Sequence, residues 1–348
     1  MTTKLKEFIE AAGWPRIIIA LFLLSLFLVA PLVQVKISTS VSDTIVRFGR
    51  NGVMVLAMVP MIRSGCGLNF GLPLGIIGGI LGILISIEME LVGLSGLLTA
   101  LTLGIIFAAL LGWAYGILLN LVKGDEMMIA TYVGFSSVAF MSMAWLLLPF
   151  KSKAMVWSFG GTGLRTTISM DQYWTNILSD FLSFKILGHV FPTGMILFFG
   201  FICFLVWLFF RSRTGQAMSA VGQNDEFARA SGVNVDRMRT LSVILSTVIG
   251  AVGIIVYAQS YGFVQLYLAP LYMAFPAVAA VLLGGASVNR VSIVNVLVGA
   301  FLFQGILTMT PSVINSALSG IDISEVIRVI VSNGMIIYAL TRVTKEVR

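Results

Sequence analysis

The sequence predicts an all-α, polytopic membrane protein of about ten transmembrane helices, and three observations carry that prediction. Of the 348 residues, 58% are hydrophobic and only 11% are charged, with a mean hydropathy of +1.00. A soluble chain is about a quarter charged, so this one cannot cover a water-facing surface of its size. The apolar residues run continuously instead of alternating, which points to helices and not to a barrel.

The segments follow in order, each judged against the ~20 residues a crossing needs. Residues 17–35 follow basic residues, but the run is long for a signal segment and lacks a small-residue cleavage site, so it reads as a retained first span. Residues 51–63 and 71–88 are short and separated by the Gly-rich RSGCGLNFGLPLG (63–75). Residues 93–122 are long enough to be tilted or broken. The remaining spans are 127–149, 191–210, 241–262, 271–287, 291–310 and 323–342. GLPLGIIGGILG (71–82) and GLSGLLTALTLG (93–104) are small-residue faces that let helix backbones approach closely. The whole chain, 1–348, reads as a single transmembrane domain.

Ten spans place both termini on one side, and loop charge selects it. With the N-terminus cytoplasmic, fourteen of the 22 Lys and Arg fall inside, seven outside, and Arg328 within a span. The inside set runs from Lys4, Lys6 and Arg16 to Arg342, Lys345 and Arg348; the outside set includes Lys36, Arg47, Arg50 and Lys185. Both termini are therefore expected in the cytoplasm. The loop 150–190 is then external, and could hold a short interfacial helix or a docking surface. The loop 211–240 is cytoplasmic.

Composition also excludes chemistry. The net charge of +7 comes from scattered loop Lys and Arg that set topology, not from a nucleic-acid surface. Cys66 and Cys203 sit in apolar stretches with no partner spacing. His189 is the only histidine, which argues against a His-based metal site. No GxxxxGK[ST] loop occurs, so ATP is not hydrolysed here by that route. No carboxylate pair or nucleophile–base set appears.

The cytoplasmic loop carries the most local information. In NDEFARASG, Asn224 is a good N-cap, and Asp225 and Glu226 place negative charge at the positive end of a helix dipole. Gly232 can adopt the left-handed backbone that stops it. Phe227, Ala228 and Ser231 could form one side of this two-turn helix, with Phe227 the only bulky group. So short a helix is marginal in water and needs something to pack against. It reads either as a docking knob for a partner or as a solvated turn with topogenic arginines.

RTGQAMSAVGQNDEFARASGVNVDRMR (213–239) resembles the cytoplasmic loop of the branched-chain amino acid/ribose-type permease family, the membrane subunits of ABC importers. Thr214, Gly215, Gly222, Asn224, Ala228, Ser231 and Gly232 fit its pattern, while Phe227 replaces a commoner small residue. FPAVAAVLLGGAS (275–287) is similar to a second family block, and GLNFG (67–71) carries Asn69 where the family has Asp. The resemblance implies a second permease chain, identical or related. It implies separate ATPase subunits holding ATP and Mg, with no cofactor on this chain. It also implies a periplasmic or lipid-anchored solute-binding protein, and a place in the plasma membrane of a bacterium or archaeon. The residues Gly222, Asn224 to Arg229 (with Asp225, Glu226, Phe227 and Ala228), Ser231 and Gly232 would couple to the ATPase.

Polar groups inside spans are costly and tend to face a cavity or another helix. On that ground Asn51, Asn69, Tyr257, Gln259, Gln265, Asn295, Gln304 and Asn333 are candidate pathway residues, with an interhelical hydrogen bond as the alternative for each. Arg328 needs a partner, and Glu325 three residues earlier, or Asp322, can supply a structural ion pair. The expected function is inward movement of a small polar solute powered by another chain's ATP. A monosaccharide ranks first because of the ASGV form of the loop; a nucleoside or branched-chain amino acid is the alternative. An ion-coupled secondary transporter is the rival of another class, but its mid-membrane carboxylates are missing: Glu88, Glu90, Asp322 and Glu325 all lie toward span edges. A membrane-embedded enzyme lacks its catalytic residues, and a stand-alone channel leaves the loop unexplained.

Overall fold

The computed structural model describes residues 14–157, 163–186, 189–317 and 323–347. Lys4, Lys6, Asp322 and Arg348 lie outside them, as do the side chains of Lys185, His189, Arg342 and Lys345. Helix α1 (Trp14–Val29) ends in a 3-10 turn (Ala30–Val33), followed by α2 (Ile37–Leu56), α3 (Met58–Arg63), α4 (Leu72–Glu88), α5 (Gly93–Leu121) and α6 (Glu126–Leu147). The connection between α6 and the next long helix holds β1 (Thr167–Ser169), the short α7 (Ile177–Asp180), β2 (Phe184–Ile186) and β3 (His189–Phe191). Then come α8 (Thr193–Arg211), α9 (Arg213–Gln223), α10 (Asp225–Ala230), α11 (Val235–Tyr261), β4 (Phe263–Gln265), α12 (Ala269–Leu283), α13 (Ile293–Ala317) and α14 (Ser324–Val347).

Each of the ten predicted segments carries a helix. Among the described residues seven helices are long and apolar enough to cross a membrane by themselves, with α4 and α12 as shorter apolar helices. The second segment is corrected: its helical run begins at Ile37, not at residue 51, and reaches Arg63 with one break at Ala57. The polar residues of its first half hid it from an average over hydropathy. Arg47 and Arg50 therefore belong to a helix and not to an external loop. The fourth segment is unbroken over 29 residues; at 1.5 Å per residue that is about 43 Å, long enough to require tilt.

The centre of the bundle is α4, nearly all of it buried, wedged between α5 and α11. A Cβ at Gly78 would lie 2.7 Å from the Ala108 backbone nitrogen on α5, so only glycine lets these helices meet. Around this trio α2 and α13 pack together, and α12 bridges them to α14. In contrast α1, α5, α6 and α8 expose large apolar side chains outward, as lipid-facing helices do.

Candidate functional site

Helix α9 starts at Ser212, whose hydroxyl accepts from the Gly215 N–H (3.2 Å). It ends where Asn224 turns extended (φ −160°, ψ 107°). The same Asn224 begins α10, because its side-chain oxygen accepts from the Phe227 N–H at 2.8 Å. Gly232, at φ +83°, stops the helix, with its N–H donating to Arg229 O and that of Val233 to Ala228 O, both at 3.0 Å. The expected grouping of side chains is corrected here. Ala228 points inward, into a small apolar cluster with Val221 of α9 and Val235 of α11, while Phe227 points out. The helix is thus seated by its own chain and needs no partner to stay in place.

Five residues further on, the base of α11 is clasped to the α5–α6 turn. Lys123 Nζ meets Asp236 Oδ1 at 2.5 Å, and Arg239 pairs with Glu126 in a setting largely shielded from water. Asn120 joins the two, donating to Thr240 Oγ1 (2.9 Å) and accepting from Arg239 Nε (3.2 Å). The clasp thus ties the base of α11 to α5 and α6. Beside α9, a polar cleft of about 770 Å³ opens between Arg63, Gln216, Gln223 and Arg290.

Helix α11 spans 27 residues, about 40 Å, and its far end borders a second cavity of about 650 Å³. Tyr257 and Tyr261 stack there, 5.3 Å apart and 16° from parallel. The Arg50 guanidinium sits 5.2 Å and 4.7 Å from their ring centroids. Four of the sequence candidates, Asn51, Tyr257, Gln304 and Asn333, meet at this cavity from α2, α11, α13 and α14. Arg328 and Glu325 line it too, paired at 3.0 Å.

The family model described as "Branched-chain amino acid transport system / permease component" matches residues 40–340. This chain belongs to that family. It is 25% identical over 279 residues to the autoinducer 2 import system permease protein LsrD of Salmonella paratyphi B, covering 77% of this chain and 76% of that one. It is 28% identical over 229 residues to LsrC, a permease protein of the same import system, from Yersinia pestis (64% and 61%). A shorter match, 31% over 151 residues, links it to LsrD of Yersinia enterocolitica, of whose length it spans 44%, against 41% of this chain. No solved structure matches. The chain is a transport component of the membrane and not an enzyme.

The other four candidates of this permease do not line the tyrosine-walled cavity. Asn69 is fully buried, donating to Ser246 Oγ at 2.7 Å beside Tyr115, and so ties the turn before α4 to α11. Asn295 caps its own helix, accepting from the Ser292 N–H (2.8 Å) and donating to Gly284 O (2.8 Å). Gln259 accepts from the Leu178 N–H at 3.2 Å, and its carbonyl from the Asn176 N–H at 2.7 Å, which pins α7. Gln265 lies opposite Thr167 in the β1–β4 pair. Glu88 takes the Lys151 and Ser152 N–H groups, each at 3.0 Å. The connection between α6 and α8 is thus stitched over the ends of α4 and α11. Sequence reasoning missed Arg47, Arg50, Tyr261 and Tyr272 as cavity residues; two arginines a turn apart, directly ahead of the apolar run that starts at Val53, were the available signal.

Proposed function

We propose that this permease is the membrane-spanning subunit of an ATP-driven importer, moving a small polar solute inward with energy from a separate ATPase. Supporting this reading is α10: a capped helix, seated on its own small core, that presents one bare aromatic ring. Phe227 is 68% exposed at the end of the molecule opposite the tyrosine-lined cavity. Seating that ring in a groove of the ATPase is worth roughly 1.5–3 kcal/mol by area. The ATPase stroke then moves α10, and the clasp at Asp236 and Arg239 carries it along α11 to the cavity. A second permease chain completes the pathway. A solute-binding protein docks on the outer connection, and both termini face the cytoplasm.

The solute is a monosaccharide or a close derivative, with a nucleoside as the second reading from the GLNFG turn. The matched relatives are named for import of autoinducer 2, so that compound joins the panel. The test is co-purification of the ATPase with Phe227→Ala, read with binding-protein-stimulated ATP hydrolysis in nanodiscs. Full assembly and full stimulation in that variant would remove α10 from the coupling path.

A further inference from the structure

The charges around the outer cavity do not balance. Arg47 and Arg50 on α2 and Arg328 on α14 line it, against the single lining carboxylate of Glu325. Glu325 is already engaged with Arg328 at 3.0 Å. Among the described residues neither Arg47 nor Arg50 has an ion-pair partner, and Asp43, one turn before Arg47, does not line the cavity. Arg50 is only 7% exposed, and its Nε is buried with no acceptor. Contact with the rings of Tyr257 and Tyr261 offsets part of the cost of holding a cation there. The one carboxylate that acts on it, Asp43, does so from outside the cavity and without an ion pair, and a buried cation so weakly countered is among the most expensive features a protein can keep.

We propose that the solute carries a compact oxyanion, a carboxylate or a phosphate, on a polyhydroxylated body, and that Arg47 and Arg50 receive that oxyanion. This rests on the cavity being the outer section of the transport pathway. The planar guanidinium fork matches both oxyanions in geometry. The amides of Asn51, Gln304 and Asn333 offer donors and acceptors suited to hydroxyls, and the exposed ring of Tyr272 offers an apolar face for a sugar's C–H groups. A volume of about 650 Å³ lies within the range of small-molecule sites. Sugar acids and sugar phosphates therefore fit better than the neutral sugar.

The experiment uses D-glucose, D-glucuronate and D-glucose 6-phosphate, which share one ring and differ at one carbon. Saturable binding to the permease is measured in phosphatidylcholine nanodiscs, alongside inorganic phosphate alone. One of the two anionic sugars should bind at least about tenfold tighter than glucose, and tighter than inorganic phosphate. The advantage should vanish in Arg50→Gln and in Arg47→Gln, and persist in part in Arg50→Lys. Arg47 is partly exposed, so its variant keeps the test decisive if Arg50→Gln does not fold. Equal binding of all three sugars, no saturable binding of any, or an advantage that survives both Gln variants would overturn the proposal. So would displacement of the anionic sugar by added phosphatidylglycerol, which would assign the arginines to a lipid headgroup. ATPase co-purification from the same membranes separates the two readings: assembly without charge preference sinks only this inference, whereas failure to assemble sinks the importer reading.

Discussion

Phe227 and Ala228 are consecutive residues with opposite environments, the first 68% exposed and the second 1%. One face of α10 therefore fastens it to α9 and α11, and the other is left for contact. Ala228→Asp would bury a charge among Val221 and Val235, costing about 2 kcal/mol or more. Hydrogen exchange across 225–233 should then rise by at least about tenfold, with assembly lost as well. Phe227→Ala should leave that exchange unchanged and weaken only ATPase capture, by about tenfold. Raised exchange in Phe227→Ala would mean that the ring holds the helix itself.

Gly232→Val tests the stop of α10. A β-branched residue at φ +83° is strained by about 1–2 kcal/mol. Nothing lies within 4 Å of a Cβ at this position, so the strain is purely backbone. The variant should still assemble with the ATPase but show lower stimulated hydrolysis per complex, because the helix is misplaced and its contact retained. Normal stimulation would argue that α10 tolerates re-aiming.

The clasp below α11 makes a graded prediction. In the pair Arg239–Glu126 the side chains are 8% and 14% exposed, so Glu126→Gln leaves a shielded cation unpaired and should cost about 3 kcal/mol or more. The double variant with Arg239→Gln should recover part of that loss. Lys123→Ala breaks a pair whose side chains are 37% and 56% exposed, which should cost less than about 1 kcal/mol and only at low salt. Thermal unfolding in nanodiscs orders the three variants; equal losses would show that Arg239 is solvated.

Orientation is tested with Lys151→Cys and Glu226→Cys, both exposed, in a chain whose own Cys66 and Cys203 are buried. An impermeant thiol reagent applied to intact cells should label the first and not the second. Labelling of Glu226→Cys from outside would reverse the proposed topology.

At the core, Gly78→Leu should abolish the folded protein, since any side chain there meets the Ala108 backbone and backbone cannot give way as a flexible side chain can. The measurement is yield of monodisperse protein from membranes. A normal yield would place α4 elsewhere than between α5 and α11.

What the sequence determined by itself was local or averaged. Apolar runs mark helices because each backbone group in lipid must be satisfied within its own segment. The cap at Asn224, the acidic first turn at Asp225 and Glu226 and the stop at Gly232 are contacts between residues at most a few positions apart, so neighbours in the chain suffice to read them. The small-residue faces of 71–82 and 93–104 announced close packing. Only the tertiary structure decided which polar residues meet. Asn51, Tyr257, Gln304 and Asn333 reach one cavity from four helices, while Asn69, Gln259 and Asn295, alike in type, are consumed by hydrogen bonds elsewhere and Gln265 lies exposed on the β1–β4 pair. Arg50 reads as a loop residue from sequence because it stands among the polar residues that precede the apolar run, and a cation buried in a lone helix would be costly. Two tyrosine rings more than 200 positions away in the chain make it tolerable, and no window of sequence contains both.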